Sequence, residues 1–205
     1  MPLITKFKYE NFKLYLWDIQ ESEKELKRDI FSKSLNERLL KVKSEGFRKG
    51  ILSVNQLIRA AKIDINDIYY STNGAPNLKS GKNISISHSK NFSGIAISKH
   101  KIGIDIESFR KKILNISPKF LNQREKHAKK KIDLLTFIWT AKESIYKAFK
   151  IPGISFSKQI QIYNIDNNKR KAYGQLEYKN QLNTYEIYYL KLGQNYITIA
   201  HEKID

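Results

Sequence analysis

Hydrophobic and polar residues follow two kinds of periodicity in the first half of the chain. Residues 12–19 alternate with the period of two that is typical of a strand. A helical pattern follows over residues 21–42 and again over residues 47–61, where apolar side chains recur every three to four positions. Residues 84–88 and 94–98 return to the strand pattern. The first half therefore predicts a strand, two helices and two further strands.

The second half repeats this order. Residues 102–107 alternate like a strand, and residues 122–125 match a capping box that opens a helix. A second helix is predicted from Thr136 to Phe149, ended by Pro152-Gly153. Residues 159–201 contain Tyr- and Ile-rich runs separated by turn residues, which predict three or four antiparallel strands.

These patterns predict an α+β fold of two halves, each with helices packed on a small antiparallel sheet. The expected division is near the middle of the chain, with residues 1–101 in the first half and residues 102–205 in the second. At 205 residues, two units of about 100 residues are a reasonable size.

Composition narrows the class of protein. A hydrophobic fraction of 40% is enough for a folded core, and the absence of cysteine excludes disulfides, thiolate zinc sites and a catalytic thiol. The N-terminus lacks the apolar core of a signal peptide, and no apolar run approaches the roughly 20 residues of a membrane span. We therefore expect a soluble cytoplasmic protein with no membrane partner.

The net charge of +18 favours polyanionic partners such as nucleic acid, a nucleotide cofactor or an acidic protein. The richness in Lys, Asn and Ile is also what a biased base composition produces, so charge alone does not choose among them. A basic nucleic-acid-binding protein is one alternative, but no helix-turn-helix, zinc-finger or RNP pattern supports it. We therefore expect no nucleic-acid partner.

Two acidic residues on a predicted strand form the first candidate site. Asp105 and Glu107 are two positions apart, so their side chains leave the same face, opposite Ile102, Ile104 and Ile106. Neighbouring carboxylates raise each other's pKa unless a cation lies between them, and Mg²⁺ is typically bound by one or two carboxylates and substrate phosphates. The structural alternative is an exposed acidic pair on an edge strand.

A helical stripe and a histidine are the other candidates. Trp139, Glu143 and Lys147 follow an i, i+4, i+8 spacing on one helix face, which an exposed Glu143–Lys147 ion pair would also explain. His88 ends a strand beside a turn, where it could reach a phosphate, although a lone histidine is more often structural. Ser87 lies on the opposite face of that strand.

Together these segments resemble a known family. Gly103-Ile-Asp-Ile-Glu107 followed by Trp139-Thr-Ala-Lys-Glu-Ser-Ile-Tyr-Lys147 resembles the paired signature of 4'-phosphopantetheinyl transferases, and Asn83-Ile-Ser-Ile-Ser-His-Ser89 is similar to their upstream strand. The resemblance runs from about Arg48 to Gly153, and the chain length suits the longer surfactin-synthetase-activator type.

The resemblance implies an enzyme that transfers the 4'-phosphopantetheine group of coenzyme A to a serine of an apo acyl or peptidyl carrier protein. It implies Mg²⁺ held by Asp105, Glu107 and Glu143, with 3',5'-ADP as the leaving group. Glu143 would also act as general base, and Lys147 would balance phosphate charge. Glu125 lies where the family often has a glutamate considered as a base, although its capping-box position explains it structurally.

For the coenzyme, the resemblance implies contacts from Ser87 and His88 to the phosphates, and from Arg48 and Lys49 to the 3'-phosphate. It further implies a monomeric pseudo-dimer of two similar halves with the active site in the cleft between them. The first half would bind coenzyme phosphates and the second would hold the Mg²⁺ site and the catalytic helix. The acidic carrier would dock on a surface that includes residues 109–135.

Two positions depart from the family pattern. Ala75 stands where a phosphate-contacting lysine is usual, and Asn55 aligns with a frequent arginine, so both changes remove positive charge from the coenzyme side. They leave open a second alternative, an inactive relative that only binds carrier proteins. The retention of Asp105, Glu107, Glu143 and Lys147 argues against it, because a binding module has no need of that charged set.

Overall fold

The computed structural model describes residues 3–28 and 33–203. The first half contains a short 3-10 helix (Ile65–Asp67) and, in chain order, the strands and helices β1 (Leu3–Lys8), β2 (Phe12–Asp18), α1 (Glu23–Lys27), α2 (Lys33–Leu40), α3 (Glu45–Ala60), β3 (Ile68–Tyr70), β4 (Pro76–Leu78), β5 (Asn83–His88) and β6 (Phe92–Ser98).

The second half contains a 3-10 helix (Gln123–Ala128) and, in chain order, β7 (Ile102–Ser108), α4 (Lys112–Phe120), α5 (Ile132–Phe149), α6 (Phe156–Gln159), β8 (Ile160–Asp166), β9 (Lys171–Tyr178), β10 (Gln181–Leu192) and β11 (Asn195–Glu202).

Both main sheets are antiparallel. The first has the strand order β1-β2-β6-β5 and the second the order β7-β11-β10-β9-β8, while β3 and β4 form a separate hairpin. The α+β class predicted from the sequence is confirmed, and the C-terminal region contains four strands, within the predicted three or four.

Strand alternation explains how the layers pack. In β2, Tyr15 and Trp17 pack against α3, whereas Leu14 and Leu16 point away from it into a cluster shared with the second sheet. That shared cluster includes isoleucines 102, 104 and 106 of β7, so the two sheets pack on each other through one apolar layer. The opposite face of β7 is therefore directed at α5.

Gly103 sets the distance between β7 and α5. A Cβ atom at this position would collide with the backbone oxygen of Ser144 and come within 2.6 Å of the Ala148 nitrogen. Only a residue without a side chain lets the helix lie this close to the strand. The glycine thus brings the acidic face of β7 against the polar stripe of α5.

Lys142 links the other side of α5 to α4, the 3-10 helix, α6 and β8. Its ammonium group is fully buried and lies 2.6 Å from a Glu125 oxygen, with the backbone oxygens of Phe120, Phe156 and Ile160 also within 3.0 Å, so its three N–H groups are shared among four acceptors. A buried charge is tolerated only when it is paired and hydrogen-bonded, as it is here. Burial also lowers the pKa of Lys142.

Several sequence predictions differ from the structure. The helix predicted over residues 21–42 is instead two helices, since α1 ends at Lys27 and α2 begins at Lys33, with residues 29–32 outside the described part. The capping box at Asn122 is present but opens a 3-10 helix, and α5 begins at Ile132 rather than at Thr136. Strand β1, the β3–β4 hairpin, α4 and α6 were not predicted.

No helix among the described residues is long and apolar enough to cross a membrane.

Candidate functional site

Asp105 is buried between the two halves, although β7 is the edge strand of its sheet. Its side chain is only 7% exposed. The free edge of β7 faces β5, where the Ile104 backbone N–H donates to Ser85 Oγ at 3.0 Å. The alternative of an exposed acidic pair on an edge strand is therefore wrong for Asp105. A buried carboxylate is costly unless it is paired and hydrogen-bonded.

Three elements converge on the Asp105 carboxylate. Lys147 Nζ, from α5, lies 2.6 Å from Asp105 Oδ1, and Ser87 Oγ, from β5, donates to the same oxygen at 3.1 Å. Lys147 also donates to Ser87 Oγ at 3.1 Å. Lys147 thus forms its ion pair with Asp105 on β7. The ion pair with Glu143 along the helix, which the sequence also suggested, is not formed among the described residues.

Glu107 lies one step along the same face. Trp139 Nε1 donates to Glu107 Oε1 at 3.3 Å, and the indole packs against the rings of Phe120 and Phe156. Burial and the negative charge of Asp105 raise the pKa of Glu107. The indole therefore holds the carboxylate in one orientation.

Glu143 is the third carboxylate of the cluster. Burial, and then the charge of Asp105, raise its pKa to about 7, while Lys147 acts in the opposite sense and Glu107 adds a smaller increase. Among the described contacts Glu143 makes no hydrogen bond. The cluster thus holds more negative charge than its one lysine balances.

A divalent cation would relieve this excess. Among the described residues, no group of three or more Asp, Glu, His or Cys side chains is arranged so that it could hold a metal ion. Nevertheless, Asp105 Oδ2 is buried and has no hydrogen-bond partner among the described residues, and the carboxylates of Asp105, Glu107 and Glu143 are hard oxygen donors of the kind that Mg²⁺ prefers. The donor chemistry of these side chains therefore suits a magnesium ion.

Comparison with known proteins places this cluster in a family segment. Residues 101–200 match the model of the 4'-phosphopantetheinyl transferase superfamily. No curated protein matches the chain. The superfamily segment contains β7 and α5, and therefore Asp105, Glu107, Glu143 and Lys147. This match supports a transferase of the phosphopantetheine kind. Members of this superfamily use coenzyme A and act on carrier proteins.

The residues assigned to coenzyme binding lie outside the superfamily segment, and the structure separates them. Ser87 faces Asp105, whereas His88 points to the other side of β5, where its ring packs edge-on against Phe47. Gly50 makes room for it, because a Cβ there would lie 2.5 Å from His88 Nδ1. Asn55 and His88 line the same groove of about 450 Å³ beside α3.

Arg48 and Lys49 lie at the start of α3. The Arg48 guanidinium donates to the Glu23 carboxylate from Nε and Nη2 and to the backbone oxygens of Val42 and Lys43 from Nη1. Lys49 is half-buried on the next position of the helix. The predicted phosphate contact of Arg48 therefore requires a group that is already engaged in a structural ion pair.

Glu125 is not at the candidate site. One of its carboxylate oxygens binds Lys142 and the Asn122 backbone N–H, and the other accepts from the backbone N–H of Ile162. Its side chain is 2% exposed. The structural explanation of Glu125 is the one that the contacts support.

Sequence reasoning missed the contact between α5 and the β3–β4 hairpin. Lys150, which ends α5 with a left-handed φ of 60°, accepts a hydrogen bond from Asn73 at its backbone oxygen. Its ammonium group donates to the Pro76 oxygen and to Asn77 Oδ1. This contact holds the turn that contains Ala75 against the end of α5. No sequence signal identifies it, because the partners are more than 70 positions apart.

Proposed function

We propose that this protein transfers the 4'-phosphopantetheine group of coenzyme A to a serine of an acidic apo acyl or peptidyl carrier protein and releases 3',5'-ADP. The observation that supports this most directly is the partly buried cluster of Asp105, Glu107, Glu143 and Lys147 inside a superfamily segment. We further propose the longer surfactin-synthetase-activator type, acting as a cytoplasmic monomer in which residues 1–101 and 102–205 are two similar halves.

Asp105, Glu107 and Glu143 would hold Mg²⁺ together with the coenzyme pyrophosphate. When bound, the ion neutralises negative charge on the diphosphate and so improves the leaving group. Trp139 keeps Glu107 oriented, and Ser87 keeps Asp105 oriented from the first half. Both contacts limit the freedom of ligands that would otherwise repel each other.

The transfer itself requires a base and a cation near the phosphates. The carrier serine oxygen bonds to the β-phosphorus, the bond from this phosphorus to the bridging oxygen breaks, and its electron pair leaves with 3',5'-ADP. Glu143 takes the hydroxyl proton, directly or through water. Lys147 lies between Asp105 and Ser87, where its charge would balance the phosphates.

Coenzyme binding in this proposal uses Ser87, His88, Arg48 and Lys49, with the cleft between the halves as the active site. Because Ser87 and Asp105 are joined across β5 and β7, a ligand at this junction would contact both halves. Arg48 would have to share its guanidinium between Glu23 and a phosphate.

Intact-protein mass spectrometry tests the proposal. An apo carrier protein incubated with this protein, coenzyme A and Mg²⁺ should gain about 340 Da, and the gain should disappear with EDTA or with Glu143→Gln. Glu177→Gln, at an exposed glutamate on β9, is the matched control and should retain transfer. If folded protein modifies none of several fatty-acid, polyketide and peptide carriers, the transferase proposal is wrong and a carrier-binding module takes its place.

A further inference from the structure

A groove of about 730 Å³ lies between α5 and the strands β10 and β11. Its floor is aromatic, since the rings of Phe137, Tyr189 and Tyr196 pack on one another with centroids 4.7–6.2 Å apart. Its rim is basic and is formed by His127, Lys131, Arg170 and Lys191. We call this feature the basic groove.

The acidic residue in the basic groove is already neutralised. Asp133 accepts hydrogen bonds from Lys191 Nζ and from the Tyr196 hydroxyl, both at 2.6 Å. Lys131 and Arg170 have no ion-pair partner within residues 3–28 and 33–203. The groove therefore presents uncompensated positive charge above an apolar floor.

The loop that precedes α5 extends this positive surface. Residues 124–131 contain five lysines and arginines and a single acid, Glu125. Glu125 is buried against Lys142, whereas the side chains of Arg124, Lys126, Lys129 and Lys130 are exposed. Among the described residues, these four exposed cations have no ion-pair partner.

Lys131 is also a poor residue for its position in the helix. It is the N-cap of α5 and makes no side-chain capping bond. Ser, Asp or Asn would cap the helix, and a cation at the helix N-terminus is electrostatically unfavourable. A lysine here therefore reduces helix stability while it adds charge to the groove.

The basic groove adjoins the candidate active site. Tyr196, in its floor, is the direct strand partner of Glu107, so both side chains leave the same face of the sheet. Along α5, Lys131 and Glu143 are separated by about 18 Å at 1.5 Å per residue. A folded domain of about 100 residues has a radius of gyration of about 13 Å, so one such domain can cover both places.

We propose that the basic groove and the loop 124–131 form the docking surface for the acidic carrier protein, a proposal that rests on the function proposed above. Carboxylates of the carrier would pair with the exposed cations of the rim and of the loop. Nucleic acid fits less well, because the floor rings are more than nine-tenths buried and pack against one another instead of presenting faces for base stacking.

Charge reversal on this surface tests the proposal. Lys129→Glu with Lys131→Glu should raise the Kd for a fluorescently labelled apo carrier, and the carrier KM in the transfer assay, by about tenfold. The KM for coenzyme A and the kcat should stay within about twofold. Since a negative charge near the N-terminus of α5 is electrostatically more favourable than a positive one, the variant should be at least as stable as the parent protein. This combination separates lost docking from damaged folding.

The matched control is Lys13→Glu with Lys99→Glu, which makes the same charge change at exposed lysines of the first half. It should leave the carrier Kd within about twofold. That result would show that the change in net charge alone does not weaken carrier binding. Equal weakening by both variants, or none from the first, overturns the docking surface. So does a variant that loses affinity for a single-stranded oligonucleotide while it keeps the carrier Kd.

These outcomes differ from a failure of the proposed function. Anisotropy measures carrier binding without any transfer, whereas mass spectrometry with the parent protein reports transfer alone. A parent protein that transfers, together with a charge-reversed variant that still binds normally, contradicts only the docking proposal. Absence of transfer by the parent protein contradicts the function itself.

Discussion

At the scale of single residues, the site depends on an absent side chain at Gly103 and an unpaired oxygen of Asp105. Gly103 has no side chain, and this lets α5 approach β7 until Lys147 reaches Asp105 at 2.6 Å. Asp105 Oδ2 in turn is buried and has no hydrogen-bond partner among the described residues. Both features depend on how closely β7 and α5 pack around Gly103 and Asp105.

Gly103→Ala should displace α5 from the sheet. The added methyl group has no space between Ser144 and Ala148, so we expect a loss of about 1–3 kcal/mol in the free energy of unfolding, together with reduced transferase activity. Urea denaturation followed by circular dichroism measures the loss. Gly46→Ala, whose Cβ would meet nothing closer than 3.7 Å, is the control and should be neutral or slightly stabilising. Equal stability of both variants would contradict this account.

At the scale of elements, ion pairs determine how the helices of the first half are held. Glu23 on α1 accepts from Arg48 on α3 and from Lys27 on its own helix. These hydrogen bonds lower the pKa of Glu23 to about 2. The structure thus gives Arg48 a packing function, independent of any contact with the coenzyme.

The stability that Glu23 provides should depend on pH. Because its pKa is lower in the folded protein, this contribution is complete above about pH 5 and is lost as the pH falls toward 2. Glu23→Gln should therefore cost about 1 kcal/mol at pH 7, allowing for solvent screening, and almost nothing near pH 2. Urea unfolding of both proteins across this range, with Glu177→Gln as the control, measures the difference. A cost that does not change with pH would exclude the ion pair as its origin.

At the scale of the whole molecule, the apolar layer between the two sheets joins the halves. Ile104 lies in this layer with Leu14 and Leu16 of the other half. Because each half buries one face of its sheet only against the other, neither should be stable alone. The site lies along the edge of this layer, where β5 meets β7.

The chain has one tryptophan in each half, and this allows a direct test of their coupling. Trp17 should report on the first half in a Trp139→Phe variant, and Trp139 on the second in a Trp17→Phe variant. We expect their urea transitions to coincide, and Ile104→Ala to shift both by the same amount, at a cost of about 2–5 kcal/mol. Two separate midpoints, or a shift confined to one tryptophan, would show that the halves unfold independently.

Much of the site follows from local sequence. The period of two places Asp105 and Glu107 on one face of β7, and the period of 3.6 places Glu143 and Lys147 on one stripe of α5. These periods are properties of the backbone, so they can be inferred before any partner is known. The same reasoning correctly separated Ser87 from His88 on β5.

The sequence by itself thus determined the α+β class, most elements of the second half and the faces on which the charged residues lie. Only the tertiary structure decided which partner each charge has. Lys147 pairs with Asp105, Arg48 with Glu23, Lys142 with Glu125, and Lys150 with the β3–β4 hairpin. Local periodicity fixes the direction of a side chain, but its partner depends on how elements distant in sequence pack, and that packing is set by the whole buried core.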